Sequence, residues 1–471
     1  MNMYCYIRLL KINVENLKNL KNGTITFDSN KKIANGDFTL DESDIVGIYG
    51  QNGSSKSTII NAFTILKTIF LNKSITSDKY DYISCDADYS NINISIYHQN
   101  NNEHYIYDYF VKLYKDNEDH KCILYSEGIA VKKYLNGKWT KINTIFEINK
   151  NSDDFAKFIT PKTNLDILTK SNKDVMPKLF SLKGQKIESN SSFIFSNEFE
   201  NILRNIDEFK YLANFIYQIK IYAMHYLHLY DNREISKIVA LDTIPFIFKN
   251  ETDTQVSSTQ GALSLFNDGI VNKSYEPVIQ SYIKEINLVL KALVPETKVD
   301  LLNLGDTLDN QGELCIKYQF ISVKDGFNIP LSLESDGIKK IISIVSSLVD
   351  AFNNPYAILI IDEFDSGIFE YLLGVILKVF KTRGKGQLLF TSHNLRALEV
   401  IKDDIVFSTT NDDDKFIKMP YVGQTNNLRK KYLRDIYMGE NDLINQIDEY
   451  DIYRALDAAG DLYLNGKKET Q

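Results

Sequence analysis

Between an apolar run, Ile45-Val-Gly-Ile-Tyr49, and a helix-period stripe of Ile59, Phe63, Leu66 and Phe70, the chain carries Gly50-Gln-Asn-Gly-Ser-Ser-Lys-Ser57. A buried strand that passes through a glycine- and serine-rich loop into a helix has few structural solutions. The loop N–H groups converge in front of the positive end of the helix, and together they cradle phosphate. Gly50, Asn52, Gly53, Ser54, Ser55 and Thr58 are the candidate cradle residues. Lys56 would reach the β- and γ-phosphates of ATP, and the Ser57 hydroxyl would ligate Mg²⁺. Ser55 stands where the usual pattern has glycine before the lysine. A side chain is accommodated there if its φ is negative, and it leaves the tightness of the cradle open.

A second element narrows the reading. Ala357-Ile-Leu-Ile-Ile-Asp-Glu363 is a buried-strand run that ends in two acids. Carboxylates at the C-terminal end of a central parallel strand face the ligand crevice of an α/β sheet. Asp362 would hold the Mg²⁺ shell and Glu363 would polarise the attacking water. Leu389-Phe-Thr-Ser-His-Asn394 is another strand, ending in His393, placed to hydrogen-bond a γ-phosphate. Leu333-Glu-Ser-Asp-Gly-Ile-Lys-Lys340 opens an amphipathic helix. Ser335 and Gly337 at its start could form a second phosphate-binding helix N-terminus; taken alone, they would be a helix cap.

Composition excludes several classes. The 471 residues include 54 Lys plus Arg against 62 Asp plus Glu, a net charge of −8. A protein that coats DNA by bulk charge leans the other way, so a nucleic-acid contact would have to be a local patch. Cys5, Cys85, Cys122 and Cys315 have no CxxC spacing, which argues against a zinc ribbon or a disulfide scaffold. The opening has no signal-peptide pattern, and no run of 18 apolar residues occurs, so the expected location is cytoplasmic, with no membrane contact.

The expected architecture is α/β. Residues 4–27 read as two strands around an Asn22-Gly23 turn, and 90–148 as β-hairpins broken at Asn100-Asn101-Asn102. From about 150 to 295 the pattern is mainly helical. Leu203, Ile206, Phe209, Leu212, Ile216 and Ile219 form one stripe there, and Val278, Tyr282, Ile286 and Leu290 form another. The polar stretch 250–260 reads as a mobile loop. The expected units are 1–148, the first half of a nucleotide-binding head with a β-rich lobe, and 149–296, a helical insertion serving as lid or docking platform. Residues 297–424 complete the head, and 425–471 form a helical tail.

Taken in order, the phosphate loop, Ser-x-Gly helix, Asp-Glu strand, following Asp365 and His-ended strand resemble the ABC-type P-loop ATPases. The opening Tyr6-Ile-Arg-Leu-Leu-Lys-Ile-Asn-Val-Glu-Asn-Leu-Lys-Asn19 looks like the SMC/RecF/OLD branch. Glu334-Ser-Asp-Gly-Ile-Lys-Lys340 and Thr391-Ser-His-Asn-Leu-Arg396 are similar to the stand-alone ATPases of microbial phage-defence operons, of PARIS, Septu or abortive-infection type. The resemblance implies a homodimer that sandwiches two ATPs, with scope for higher-order assembly. Lys56, Ser57, Asp362, Glu363 and His393 would act in cis, and Ser335 and Gly337 in trans. Asp365 would be the acid that couples the two sites, and Lys18 the basic residue of the N-terminal turn. The Q-loop glutamine of that family is not placed; Gln99 reads as part of a polar hairpin turn.

The functional expectation is an ATP-driven switch that controls a separate effector, a nuclease or toxin. Fewer than 80 residues follow His393, which looks too short for the nuclease domain of OLD-type chains. The alternative is a RecF- or SMC-like DNA-repair ATPase that binds DNA directly, with the acidic net charge weighing against it. A transporter subunit and a weakly hydrolysing scaffold are further alternatives. His225 and His228 read as packing residues rather than metal ligands, Asp412-Asp-Asp414 as a solvated turn, and Arg429, Lys430, Lys431 and Arg434 as a solvated helix face.

Overall fold

The computed structural model describes residues 6–150, 152, 155–170, 174–231, 243–251, 256–264, 269–324, 326–410, 415–418, 428–438, 443 and 450–455. Its centre is a six-stranded sheet in the order Leu227–Tyr230, Ile358–Ile361, Gln387–Thr391, Asp44–Tyr49, Ile405–Ser408, Phe416–Ile417. The first five strands are parallel, and the last pairs antiparallel at the edge. Ile358, Leu359, Ile360 and Ile361 are all buried, as expected of a parallel strand covered on both faces, which reads as a continuous apolar run. The helix Lys56–Phe70 follows Asp44–Tyr49 and buries Ile59, Phe63, Leu66 and Phe70, the stripe expected from its period. The protein is thus the α/β fold expected, with helices and a second, antiparallel sheet around a parallel core.

That second sheet runs Leu20–Thr26, Ile7–Leu17, Tyr89–Asn100, Glu103–Asp116, Lys121–Leu135, Asn143–Asn149, Ile159–Thr160. It is the hairpin lobe expected, with one change at its start. The first turn is not at Asn22-Gly23; Leu17 pairs with Leu20, and Lys18 and Asn19 make the turn. Lys18 takes a φ of +52°, and Gly23 sits inside the ladder opposite Val14. A Cβ on Gly23 would lie 2.5 Å from the Phe416 ring, so this glycine serves a close approach rather than a turn.

The segment expected to be mainly helical is mixed. It contains the helices Val175–Glu188, Asn197–Arg204, Lys210–His225 and Glu276–Leu293. All six residues of the Leu203-to-Ile219 stripe are buried, but a 3-10 turn at Asp207–Phe209 divides it between two helices. The strand Leu227–Tyr230 then enters the central sheet beside Ile358–Ile361. Thr243–Glu251 and Val256–Ser264 pair as a hairpin, so most of the stretch expected as a loop at 250–260 lies in strands. Tertiary pairing partners override local polarity here, as they often do for strands. His225 and His228 do not share a helix face, because His228 lies in the strand Leu227–Tyr230, with its Nε2 2.6 Å from Asp350 Oδ2. Among the described residues no three His, Cys, Asp or Glu side chains are grouped to hold a metal ion, and no helix is long and apolar enough to cross a membrane. Asp412-Asp-Asp414 lies outside the described residues. In the tail helix Leu428–Met438, Arg429 pairs with Glu399 at 3.4 Å and Arg434 with Asp435 at 3.3 Å.

A buried polar knot joins the lobe to the core sheet. The Arg8 guanidinium, 2% exposed, donates to the carbonyls of Pro355 (2.7 Å), Lys385 (3.0 Å) and Glu42 (3.0 Å), and lies 3.8 Å from Asp44. Asp44 in turn accepts from the backbone N–H groups of Asp28 (2.9 Å) and Ser29 (3.1 Å). The Gln387 amide pairs with both the N–H and C=O of Leu9, each at 2.9 Å, as a strand neighbour would. Removing one partner of a buried ion pair leaves the other charge uncompensated. Arg8→Met is therefore expected to lower unfolding free energy by about 3–5 kcal/mol, read from urea midpoints at constant slope.

His98 in the lobe gives a pH prediction. It is 1% exposed, packed against Tyr105, Tyr107 and Phe215, and burial pulls its pKa down to about 3. The unfolded chain takes up this proton near pH 6.5 and the native one does not, so stability falls as pH drops from about 6.5 towards 3. The expected slope from this residue is about 1.4 kcal/mol per pH unit. His98→Phe should remove that share of the slope when denaturant midpoints are compared at pH 5.5 and 4.5.

Candidate nucleotide site

The site lies at the C-terminal ends of three adjacent core strands. After Asp44–Tyr49 the chain turns at Gly50 and Gly53, whose φ values are +156° and +78°. Among the described residues, nothing lies within 4 Å of where a Gly53 Cβ would be, so that part of the loop is open on that side. Ser55 has φ +71° and ψ 13°, so the negative φ considered for a side chain there is not what the chain adopts. The serine takes the glycine-type conformation, which costs about 1–2 kcal/mol for an L-residue. Its hydroxyl donates to Asn19 O at 3.1 Å, an anchor glycine could not supply.

Lys56 opens the following helix, and its Nζ curls back to donate to Gly50 O and Gln51 O, both at 2.8 Å. Burial lowers its pKa, while the carboxylates of Asp362, Glu363 and Asp365 act the other way. The ammonium thus stands behind the loop, on the side of the acids that follow Ile358–Ile361. Ser57 Oγ donates to Asp362 Oδ1 at 3.0 Å, and Thr391 Oγ1 donates to the same oxygen. Asp362 is 1% exposed, and burial raises its pKa against the pull of these two hydroxyls. The structure therefore brings Lys56, Ser57 and Asp362 together from two distant parts of the chain.

Glu363, next along, has φ +47°, and its N–H donates to Thr391 Oγ1 at 2.8 Å. Asp365 Oδ2 accepts from the backbone N–H of His393 at 3.1 Å, so within one chain it fixes the turn that carries the histidine. His393 itself is exposed. Ser335 is exposed too, capping the helix Asp336–Asn353 by accepting from Ile338 N–H at 3.4 Å. Gly337 meets Gly367 backbone to backbone: a Cβ on Gly337 would lie 1.9 Å from Gly367 O. Asn52 is exposed on the loop, Ser54 is buried with Oγ lacking a partner, and Thr58 N–H donates to Ser55 O at 3.1 Å.

Lys18 donates to Asn61 Oδ1 at 2.8 Å and lies 4.3 Å over the Tyr82 ring, so it braces the loop's helix. Its neighbour Asn19 was not expected to matter and is the tighter contact. Asn19 Nδ2 donates to Gly53 O, its carbonyl accepts from Ser55, and its Oδ1 accepts from Thr58 Oγ1 at 3.3 Å. An Asn in a turn has no marker of such long-range work. Asp231 was also missed. It ends the strand next to Ile358–Ile361, is 9% exposed, and its charge helps raise the pKa of Asp362. Gln99 does not lie in the hairpin turn expected; it is in the strand Tyr89–Asn100, paired with His104, and its Nε2 donates to Asn101 O at 3.0 Å.

These residues suit a nucleotide with Mg²⁺. A hydroxyl from the start of the helix Lys56–Phe70 and a carboxylate from the end of Ile358–Ile361 meet, as in a two-oxygen protein contribution to a hard cation that keeps most of its waters. The open loop at Gly53 and the lysine behind it suit phosphate oxygens.

The chain is similar to several known proteins. Among solved structures, the Smc head domain with an extended coiled coil, bound to the C-terminal domain of ScpA, from Pyrococcus furiosus is 14% identical with a TM-score of 0.39, covering 92% of this chain and 100% of that one. The SMC head domain from Thermotoga maritima is 14% identical with a TM-score of 0.35, over 88% and 100%. The recombination mediator RecF with ATP is 12% identical with a TM-score of 0.32, over 83% and 94%. Overlays this loose add nothing to the sheet order and loop geometry described above. No curated protein gives a significant sequence match. A family model does match, over residues 45–399, a span that begins in the strand before the phosphate loop and ends just beyond His393. With three-quarters of its length under that match, the chain belongs to the AAA_21 family, described as "AAA domain, putative AbiEii toxin, Type IV TA system".

Proposed function

We propose that this protein is the ATP-binding and ATP-hydrolysing switch of an anti-phage defence system, acting as a homodimer that controls a separate effector protein, a nuclease or toxin. The observation that carries the reading is the Ser57–Asp362 contact, flanked by Lys56 on one side and Glu363 on the other. Lys56 and the loop N–H groups bind and orient the phosphates. Ser57 and Asp362 hold Mg²⁺, which when bound offsets the charge that develops on the phosphate oxygens. Glu363 orients and deprotonates water, and His393, exposed at the end of its strand, hydrogen-bonds the terminal phosphate. The exposure of Ser335 and His393 supports a partner chain completing each site, while Gly337 is buried against Gly367 of its own chain. The family's description, which names a toxin and a toxin–antitoxin system, supports a place in a system of that kind.

The energy of such a switch is the difference in ATP affinity between closed and open dimers, about 1–3 kcal/mol per coupled site. Glu363→Gln is expected to lower kcat by about 100-fold or more and to leave a dimer that persists with ATP and Mg²⁺ in light scattering. Lys56→Ala should show neither hydrolysis nor ATP-dependent dimer. If both variants associate as the wild type does, the reading is wrong. Tagged Glu363→Gln protein purified from its native cells with ATP should bring down a stoichiometric protein. Salt-resistant nucleic acid with no protein would instead indicate a DNA-binding ATPase.

A further inference from the structure

The helix Asp336–Asn353 carries a second lysine in its first turns, Lys340, which is 3% exposed. Its Nζ donates to two backbone carbonyls, Glu363 O and Ser366 O, the latter at 3.1 Å. Those carbonyls bracket the short loop that carries Glu363 and Asp365. Thr391 grips the same loop from the sheet side: its hydroxyl accepts from Glu363 N–H at 2.8 Å, and its carbonyl accepts from Phe364 N–H at 2.9 Å. Glu363 is a non-glycine residue at φ +47°, a conformation that persists only where its surroundings hold it. One residue beyond Ser366, Gly367 lies against Gly337 with no room for a Cβ between them. The helix that begins at Ser335 and the loop that carries the water-polarising acid are therefore joined by an ammonium and by a backbone contact.

Burial of that ammonium is costly. It pushes the Lys340 pKa down to about 8, with the charges of Asp365, Glu363 and Asp362 opposing the shift. An apolar side chain would fill the space without that cost but could not bridge two carbonyls. The charge is placed where it can hold the loop.

We propose that Lys340 is a positioning residue that makes the Ser335 helix and the Glu363 loop of one chain a single body, so that engagement of Ser335 by the partner's nucleotide is transmitted to Glu363 of the same chain. This rests on the dimeric ATPase reading above. In it, each chain contributes Ser335 to one composite site and Glu363 to the other. A rigid link between them couples the two sites through the interior of each subunit. Without the link, the P-loop still binds ATP, but Glu363 relaxes from its strained position and the sites fire independently.

The test uses full-length protein with ATP and Mg²⁺ in a steady-state hydrolysis assay over a range of ATP concentrations. Lys340→Met is expected to lower kcat by about 10–100-fold, since a misplacement of about 1 Å at a reacting group costs up to about 100-fold. KM should stay within about twofold, and a wild-type Hill coefficient above 1 should fall to 1. Lys340→Arg, which can still donate to both carbonyls, should recover most of the rate and the cooperativity. Lys340→Gln, with one reachable carbonyl, should fall between them and serves if the methionine variant does not fold. An active, cooperative wild type with an unchanged Lys340→Met overturns the inference alone. Parallel loss of nucleotide binding, rate and folding in Met and Gln variants marks Lys340 as purely structural and also overturns it. A wild type that does not hydrolyse ATP overturns the functional reading and this inference with it.

Discussion

The contact between Ser57 and Asp362 spans 305 positions of sequence and depends on every other feature of the core. It forms because two parallel strands end at the same edge of one sheet, with Gln387–Thr391 between them. Parallel strands need crossovers, so the polypeptide must leave and return for each one, and everything in between must fold around that requirement. The lobe strands from Tyr89 to Thr160, the mixed middle segment and the small sheet of Gly269–Asn272, Lys298–Leu308, Leu314–Lys324 and Phe327–Pro330 all lie within that excursion. The site is thus closed late in sequence terms, when Ile358–Ile361 docks beside Leu227–Tyr230 and Gln387–Thr391.

Polar groups buried around this core act as alignment pins. Arg8 and Gln387 satisfy backbone groups that a strand neighbour would otherwise have to reach, which locks the antiparallel lobe to the parallel sheet in one register. Tyr230 OH reaches Ser347 Oγ at 2.9 Å, and His228 reaches Asp350, so the helix that begins at Ser335 is also pinned to the edge strand. Asn19 holds the first turn onto the phosphate loop, and Lys340 holds the helix onto the acid loop. Arg8, Gln387, Asn19 and Lys340 each bond to backbone groups, whereas Tyr230 and His228 bond to side chains. A bond to backbone constrains a loop's path and leaves its exposed side chains free to meet ligand.

Much of the site was legible in the sequence because its chemistry is carried by local patterns. The strand–loop–helix around Lys56, the Asp-Glu ending of Ile358–Ile361 and the Ser335 cap each mark themselves within about ten residues. The first turn misled because Asn-Gly is a strong local signal, and at Asn22-Gly23 it was outweighed by the packing of the Phe416 ring from the far end of the chain. The middle segment misled for a similar reason. Leu227–Tyr230 is too short to outvote the helix before it, and only a partner strand makes it a strand. Asp231 and Asn19 had no signal to offer, since an isolated acid and a turn asparagine look alike wherever they fall.

By itself the sequence determined the chemistry available: a lysine and a serine behind a glycine turn, two acids after an apolar strand, and a serine at a helix start. These are consequences of backbone periodicity and residue type, which act over a few residues. The tertiary structure alone decided which of them meet. It set Ser57 against Asp362, turned Ser55 into a left-handed conformation, brought Asp231 to the acid strand and put Lys340 beneath Glu363. Those outcomes depend on strand order and burial, which no local pattern encodes, because the free energy that enforces them comes from residues hundreds of positions away.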